Sequence, residues 1–165
     1  MVELWDLYNE NREKTTLQHQ RGNPIPSGLY HLVVSIWIKN QDGNYLMSQR
    51  HPDKPYPKCW ECTGGSVLLG ETSLQGALRE VKEELGIDLE ASAGQLLHSE
   101  RREKNQDFYD VWLFHSNATP YDLVLQKEEV INAKWMSEHE IKNLFYNGCL
   151  HPLLNYLPWD FSNPI

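Results

Sequence analysis

Apolar positions along the chain fall into runs of two kinds. From His31 to Ile38 the sequence HLVVSIWI is nearly continuous in β-branched and aromatic residues, which predicts a buried strand. The segment 40–44 is a turn signal, and Tyr45 to Arg50 is predicted to pair back as the second arm of a hairpin. Gln95 to Arg101, Tyr109 to His115 and Val130 to Met136 read as further strands, and Trp60 to Thr63 as a short extended piece. Glu3 to Tyr8 alternates loosely, as an edge strand does. Residues 22–28 (GNPIPSG) form a turn-rich connector, and residues 51–59 a loop holding Pro52, Pro55 and Pro57 with His51, Lys54 and Lys58. Helical spacing governs residues 73–85 and Glu138 to Phe145. The last segment, with Pro152, Pro158 and Pro164, is irregular but apolar, so it is expected to pack onto the body. A mixed sheet with two main helices follows, an α/β layout.

Length and composition narrow the reading. The 165 residues suit one domain over 1–165, with an N-terminal extension at 1–28 and a tail at 146–165. The formal net charge of −8 argues against duplex nucleic acid as the main partner, since neutralising phosphates needs a basic face. An acidic protein still binds phosphates where divalent cations stand between them. No apolar run approaches a membrane span, and the N-terminus has no basic stretch followed by an apolar core. Three cysteines, Cys59, Cys62 and Cys149, do not suggest a disulfide scaffold, so cytoplasm is the expected compartment.

Residues 72–87 carry the chemistry. Thr72 with Gln75 three positions later is a capping box that starts a helix, and Gly86 supplies its left-handed end. Leu74, Ala77, Leu78, Val81 and Leu85 define the core face. Glu80, Glu83 and Glu84 share one side that borders this face. Like charges so placed weaken a helix, and partial burial raises their proton affinity. A hard cation such as Mg²⁺, which prefers oxygen ligands, relieves both problems. Arg79, one turn before Glu83, is placed to steady it. Gly76 leaves room for a ligand or for the preceding loop. The bland alternative is a solvated charged face.

The loop before the helix decides between these. Gly65, five residues, Glu71, seven residues, then Arg79-Glu80-Val81-Lys82-Glu83-Glu84-Leu85-Gly86-Ile87 match every defined position of the Nudix box. The chain therefore resembles the Nudix hydrolase superfamily, with weaker similarity over the strand–turn–strand before the box and over Glu128 to Trp135 after it. The resemblance implies a Nudix-type α/β/α sandwich with a mixed central sheet, and metal-dependent hydrolysis of a nucleoside diphosphate linked to another group. It implies Glu80, Glu83 and Glu84 as metal ligands, one of them also the base, with the Gly64 or Gly65 carbonyl as a further ligand. Mg²⁺ is the expected ion and Mn²⁺ a substitute. Glu71 and Arg79 would tie the loop to the helix. Many members use another carboxylate from a later loop; Asp107, Asp110, Glu128 and Glu129 are the candidates, with Asp110 and Glu129 favoured. The expected partner is a small-molecule diphosphate, and the long N-terminal segment would suit a homodimer.

His31 in its apolar strand and the Arg50, Lys54 and Trp60 pattern also resemble the isopentenyl-diphosphate isomerase branch, where Arg50 and Lys54 would contact the diphosphate. That branch needs a cysteine at the position of Gly64 and a further metal histidine at that of Ser66. Both are missing, and the box is complete, so hydrolysis is the stronger expectation. A binding-only module is the non-enzyme alternative, but it would not need to keep every box carboxylate. Cys59-x-x-Cys62 with Cys149 and His151 is a weak zinc pattern. Trp37, Trp112 and Trp135 are expected in the core, while Tyr56, Trp60, Phe108 or Tyr109 are candidates to stack on a ring.

Overall fold

Both faces of the central strand are apolar, and each is covered by a different layer. In the computed structural model, which describes residues 2–161, this strand is β3 (His31–Lys39). Met1 and residues 162–165, and with them Pro164 and the end of the predicted tail, lie outside the described residues. Leu32, Val34, Ile36 and Ile38 of β3 pack with Ala77, Val81 and Leu85 of helix α1 (Ser73–Leu85). Trp37, on the other face, packs with Met47, Val111, Met136 and with Ile141 of helix α2 (Glu138–Tyr146). Period-two alternation thus feeds two cores at once, giving an α/β/α sandwich.

The other elements are β1 (Leu4–Tyr8), β2 (Lys14–Gln20), β4 (Tyr45–Arg50), β5 (Trp60–Glu61) and β6 (Thr63–Ser66), then β7 (Gln95–Arg102), β8 (Asp107–His115) and β9 (Val130–Met136). β3 pairs in parallel with β8 from His31↔Asp107 to Lys39↔His115, and antiparallel with β6 from Val33↔Ser66 to Ile36↔Thr63. β7 completes that edge beside β8. A parallel pair needs a long crossover, and the segment containing α1 supplies it.

The predicted hairpin is only its turn. β3 and β4 share the single pair Lys39↔Tyr45 and then diverge. β6 and β8 occupy the two edges of β3, so β4 pairs instead with β9 along its length and with β5 at its end. β2 was not predicted. Its sequence, KTTLQHQ, is mostly exposed, so no apolar period marks it. It pairs with β1 in a separate two-stranded sheet that buries Trp5 and Leu7.

The tail packs as expected, and with a specific contact. Leu150 forms a parallel bridge to Trp60, with Trp60 N–H donating to Cys149 O (2.9 Å) and His151 N–H to Trp60 O (2.8 Å). Leu150, Leu154 and Leu157 are buried beneath it. No helix among the described residues is long and apolar enough to cross a membrane.

Candidate active site

Local sequence signals build the site. Thr72 Oγ1 accepts the Gln75 N–H and Gln75 Oε1 accepts the Thr72 N–H, so the capping box starts α1 where the sequence places it. Gly86, at φ 75°, ends it in the left-handed region. The loop between β6 and α1 is held from below and from the side. Val67 N–H donates to Leu32 O (2.9 Å), and Val67 packs against Gly76, where an added Cβ would lie 2.8 Å from Val67 Cγ2. The missing side chain at Gly76 therefore admits the loop.

Arg79 locks loop to helix. Its guanidinium donates to both oxygens of Glu71 (2.7 and 3.0 Å), to Ser66 O (2.9 Å), to Glu80 Oε1 (2.8 Å) and to Glu83 Oε2 (3.0 Å). Glu71 also accepts the Leu68 N–H (2.9 Å). Burial works against the charge on Glu71, but these bonds outweigh it and hold its carboxyl below the usual range. Glu80 lies against Gly65: a Cβ there would meet Glu80 Oε1 at 2.4 Å, so any larger residue would push the carboxylate from this position.

The three box glutamates differ in setting. Glu83 is half exposed, while Glu80 is largely covered. Glu84 is 6% exposed. Burial first, then the charges of Glu80 and Glu61, push the Glu84 carboxyl well above its ordinary pKa. Lys54 opposes this, and no hydrogen-bond donor among the described residues reaches it. Glu80 is also raised by burial, against the pull of Arg79.

A cleft of about 210 Å³ joins Gly64, Gly65, Arg79, Glu80, Glu83 and Glu84 to Lys54 and Glu129 on the facing wall. Lys54 and Glu129 form an ion pair. Of the later carboxylates, Glu129 alone borders this cleft. Asp110, favoured beside it, does not: it is buried in the fork of Arg12 (2.8 and 2.5 Å) and accepts from Ser99 (2.7 Å). Burial raises the proton affinity of Asp110, but the hydrogen bonds it accepts, that from Arg12 foremost, together with the Arg12 charge outweigh it and leave the carboxyl below its ordinary value. Asp107 is spent on Arg102 (2.8 and 2.6 Å), and Glu128 is exposed away from the cleft. Arg50 is paired with Glu61 (2.7 and 2.9 Å) and lines an adjoining hollow.

Sequence reading missed three contributors. Glu61 lies near enough to Glu84 to raise its pKa and is itself raised by burial. Glu3 and Arg21, an ion pair of the N-terminal hairpin, border the cleft from outside. The hairpin also grips the box loop: Gly70 N–H donates to Asp6 (2.7 Å) and Leu69 N–H to Leu4 O (2.8 Å). A Glu inside a short extended C-x-x-C, and charges before residue 29, give no local signal of this.

The donor set suits a hard divalent cation. The residues bordering the cleft offer carboxylates and peptide carbonyls, and no thiol or imidazole. Among the described residues, no three His, Cys, Asp or Glu side chains already meet at one point; Glu80 and Glu83 are instead bridged by Arg79 Nη1, to which both are bonded. Glu83, half exposed, has room to turn; Glu84 already lies at the cleft with an unpartnered carboxylate. Cys59, Cys62 and Cys149 are free thiols, and among the described residues they do not converge with a third ligand.

Isomerase chemistry fits poorly. A Cβ at Gly64 would lie 2.4 Å from Val34 O and 3.2 Å from Ser35 Cα, so the backbone has no room for a thiol there. Cys62 is buried, and burial raises its thiol far above the ordinary range. His31 is stacked on Trp5 (centroids 4.1 Å apart) at the N-terminal hairpin and is kept neutral, its pKa lowered to about 4 by burial.

Fold and site together are those of a Nudix-type hydrolase. The chain belongs to the Nudix hydrolase family: the NUDIX domain model matches residues 29–154. An uncharacterised Nudix hydrolase of Listeria monocytogenes is 39% identical over 99% of this chain and 94% of its own length. A CTP pyrophosphohydrolase of Escherichia coli is 32% identical over 66% of this chain and 78% of its own. The crystal structure of a Deinococcus radiodurans protein superposes with a TM-score of 0.78 at 23% identity, covering 98% of this chain and all of that one.

Proposed function

We propose that the chain hydrolyses the P–O–P linkage of a nucleoside diphosphate derivative, or of a related organic diphosphate, with Mg²⁺ or Mn²⁺ as cofactor. The observation that carries this reading is Glu84: a buried carboxylate without a hydrogen-bond partner, beside Glu80 and the Gly64–Gly65 loop at the floor of an acidic cleft. Folding an acid into such a place costs free energy unless a bound group compensates it. A related protein named as a CTP pyrophosphohydrolase supports a nucleotide substrate.

Glu80, Glu83, Glu84 and the Gly65 carbonyl would hold the cation. When bound, it neutralises phosphate charge, orients the linkage and makes water more acidic. Glu84 and Glu80, whose proton affinity burial raises, are placed to accept a proton from the attacking water. Arg79, itself held by Glu71, keeps Glu80 and the loop in register. Lys54 supplies a positive charge on the opposite wall for phosphate oxygens, and Glu129 positions it.

Phosphate release from a panel of diphosphates with Mg²⁺ and Mn²⁺, run beside Glu84→Gln, tests the proposal. The variant is expected to stay folded and lose at least ~100-fold in rate, as loss of a base or ligand commonly does. Turnover near wild type in Glu84→Gln would refute the assignment.

A further inference from the structure

Across Gly64 and Gly65 from the carboxylate cleft lies a second hollow of about 200 Å³, which shares Val33 and those two glycines with it. Its other walls include, from outside the box, Arg50 and Glu61 of β4 and β5, Arg102 and Tyr109 of β7 and β8, and His151 and Leu153 of the tail. The parallel bridge of Leu150 to Trp60 is what sets the tail at this mouth.

The unused donors of this hollow define what it can bind. Arg50 spends Nε on Pro55 O and Nη1 on Glu61, leaving Nη2 without a partner among the described residues. Arg102 spends Nε and Nη2 on Asp107, leaving Nη1; its guanidinium lies 3.9 Å over the Tyr109 ring. His151 Nδ1 accepts the Leu153 N–H (3.1 Å). Burial, followed by the charges of Arg50 and Lys54, lowers this imidazole to about 4, so near pH 7 it is neutral and its proton sits on Nε2. Each arginine is already matched by one carboxylate, which leaves no surplus charge for another anion. Three donor nitrogens remain beside the apolar walls of Val33 and Leu153. Such a set favours uncharged acceptors such as carbonyl oxygens. The volume is below the ~300–1,000 Å³ of sites for drug-sized ligands, and so matches a single ring.

We propose that this hollow is the subsite for the organic group of the substrate, and that it selects one compact, uncharged, acceptor-bearing ring of the kind a pyrimidine base presents. The diphosphate would then cross the Gly64–Gly65 ridge into the carboxylate cleft. This rests on the hydrolase reading for the place of the diphosphate, but its test needs no turnover.

Calorimetric titration with uridine 5′-(α,β-methylene)diphosphate and with ribose 5-(α,β-methylene)diphosphate, both in Mg²⁺, gives a ratio of affinities that reports the ring, since sugar and diphosphate are common to both. The wild type is expected to bind the uridine compound at least tenfold more tightly. Leu153→Trp, at a half-exposed position where folding is not at stake, fills the mouth and should bring the ratio near one. His151→Asn keeps an acceptor for the Leu153 N–H on Oδ1, while its own amide donor, on a shorter side chain, falls short of the place of Nε2, and the ratio should drop severalfold. No preference for the uridine compound in the wild type, or an unchanged ratio in both variants, would overturn the proposal. Absence of phosphate release with every substrate would instead sink the hydrolase reading and leave this ratio standing.

Discussion

Gly76→Ala separates a steric role from a conformational one. Gly76 has no positive φ and lies inside α1, so on backbone grounds alone alanine should stabilise the helix by about 1 kcal/mol. The structure sets a collision against that gain. The new Cβ would lie 2.8 Å from Val67 Cγ2 and 3.3 Å from two further Val67 carbons. Overpacking of this kind costs ~1–3 kcal/mol. The net is a loss between zero and ~2 kcal/mol, which at ~2–4 °C per kcal/mol for a domain of this size puts Tm between unchanged and ~8 °C lower. Activity should suffer more than stability. Val67 directly follows β6 (Thr63–Ser66), and a displacement approaching 1 Å at a reacting centre costs up to ~100-fold. We therefore expect at least a ~10-fold fall in turnover from a variant that is still well folded. Differential scanning calorimetry and phosphate release on one preparation check both halves. A rise in Tm of a few degrees with full turnover would show that the loop does not rest on Gly76, and the account of the site would fall with it.

Other perturbations probe the electrostatics. Because the folded-state pKa of Glu84 is raised, its contribution to stability is fully present below the unfolded value and is lost as pH rises through the folded one. In chelator, Glu84→Gln should then melt higher than wild type at pH 7.5, the gap closing toward pH 4.5; an equal or lower Tm at pH 7.5 contradicts the burial argument. Arg79→Lys keeps the charge but not the fork that spans Glu71, Ser66 O, Glu80 and Glu83. It should cost about 2 kcal/mol by urea unfolding, less than the ~3–5 kcal/mol of leaving buried carboxylates unpaired, and a midpoint equal to wild type would count against the lock. Under native conditions iodoacetamide should modify exposed Cys149 first and buried Cys62 last, read by mass spectrometry of peptides; early labelling of Cys62 would speak against its burial.

What the sequence made legible was local. The start and end of α1, its core face and the pairing of Arg79 with Glu83 depend on residues within a few positions of one another, and all appear as read. Gly76 was ambiguous between ligand and loop, and Val67 resolves it. The failures are long-range. Asp110 and Arg12 are 98 positions apart, so nothing beside Asp110 revealed that its charge was already matched. The expected β3–β4 hairpin has the right turn, but partners from distant segments outcompete β4 for the edges of β3. Glu61 and the tail reach the site by pairings between β4, β5 and residue 150, which no periodicity encodes.

The N-terminal hairpin has a practical bearing on how the chain can be shortened. The family match begins at residue 29, which invites trimming at that point. A chain starting at Leu29 would lose Arg12 and strand Asp110, 1% exposed, as a lone anion within the protein. It would also release Gly70 and Leu69 from Asp6 and Leu4. Orphaning one member of a buried ion pair costs ~3–5 kcal/mol, a large part of what holds an ordinary domain folded. The excised piece would be a poor surrogate for the whole, and inactivity in it would say nothing about the glutamates.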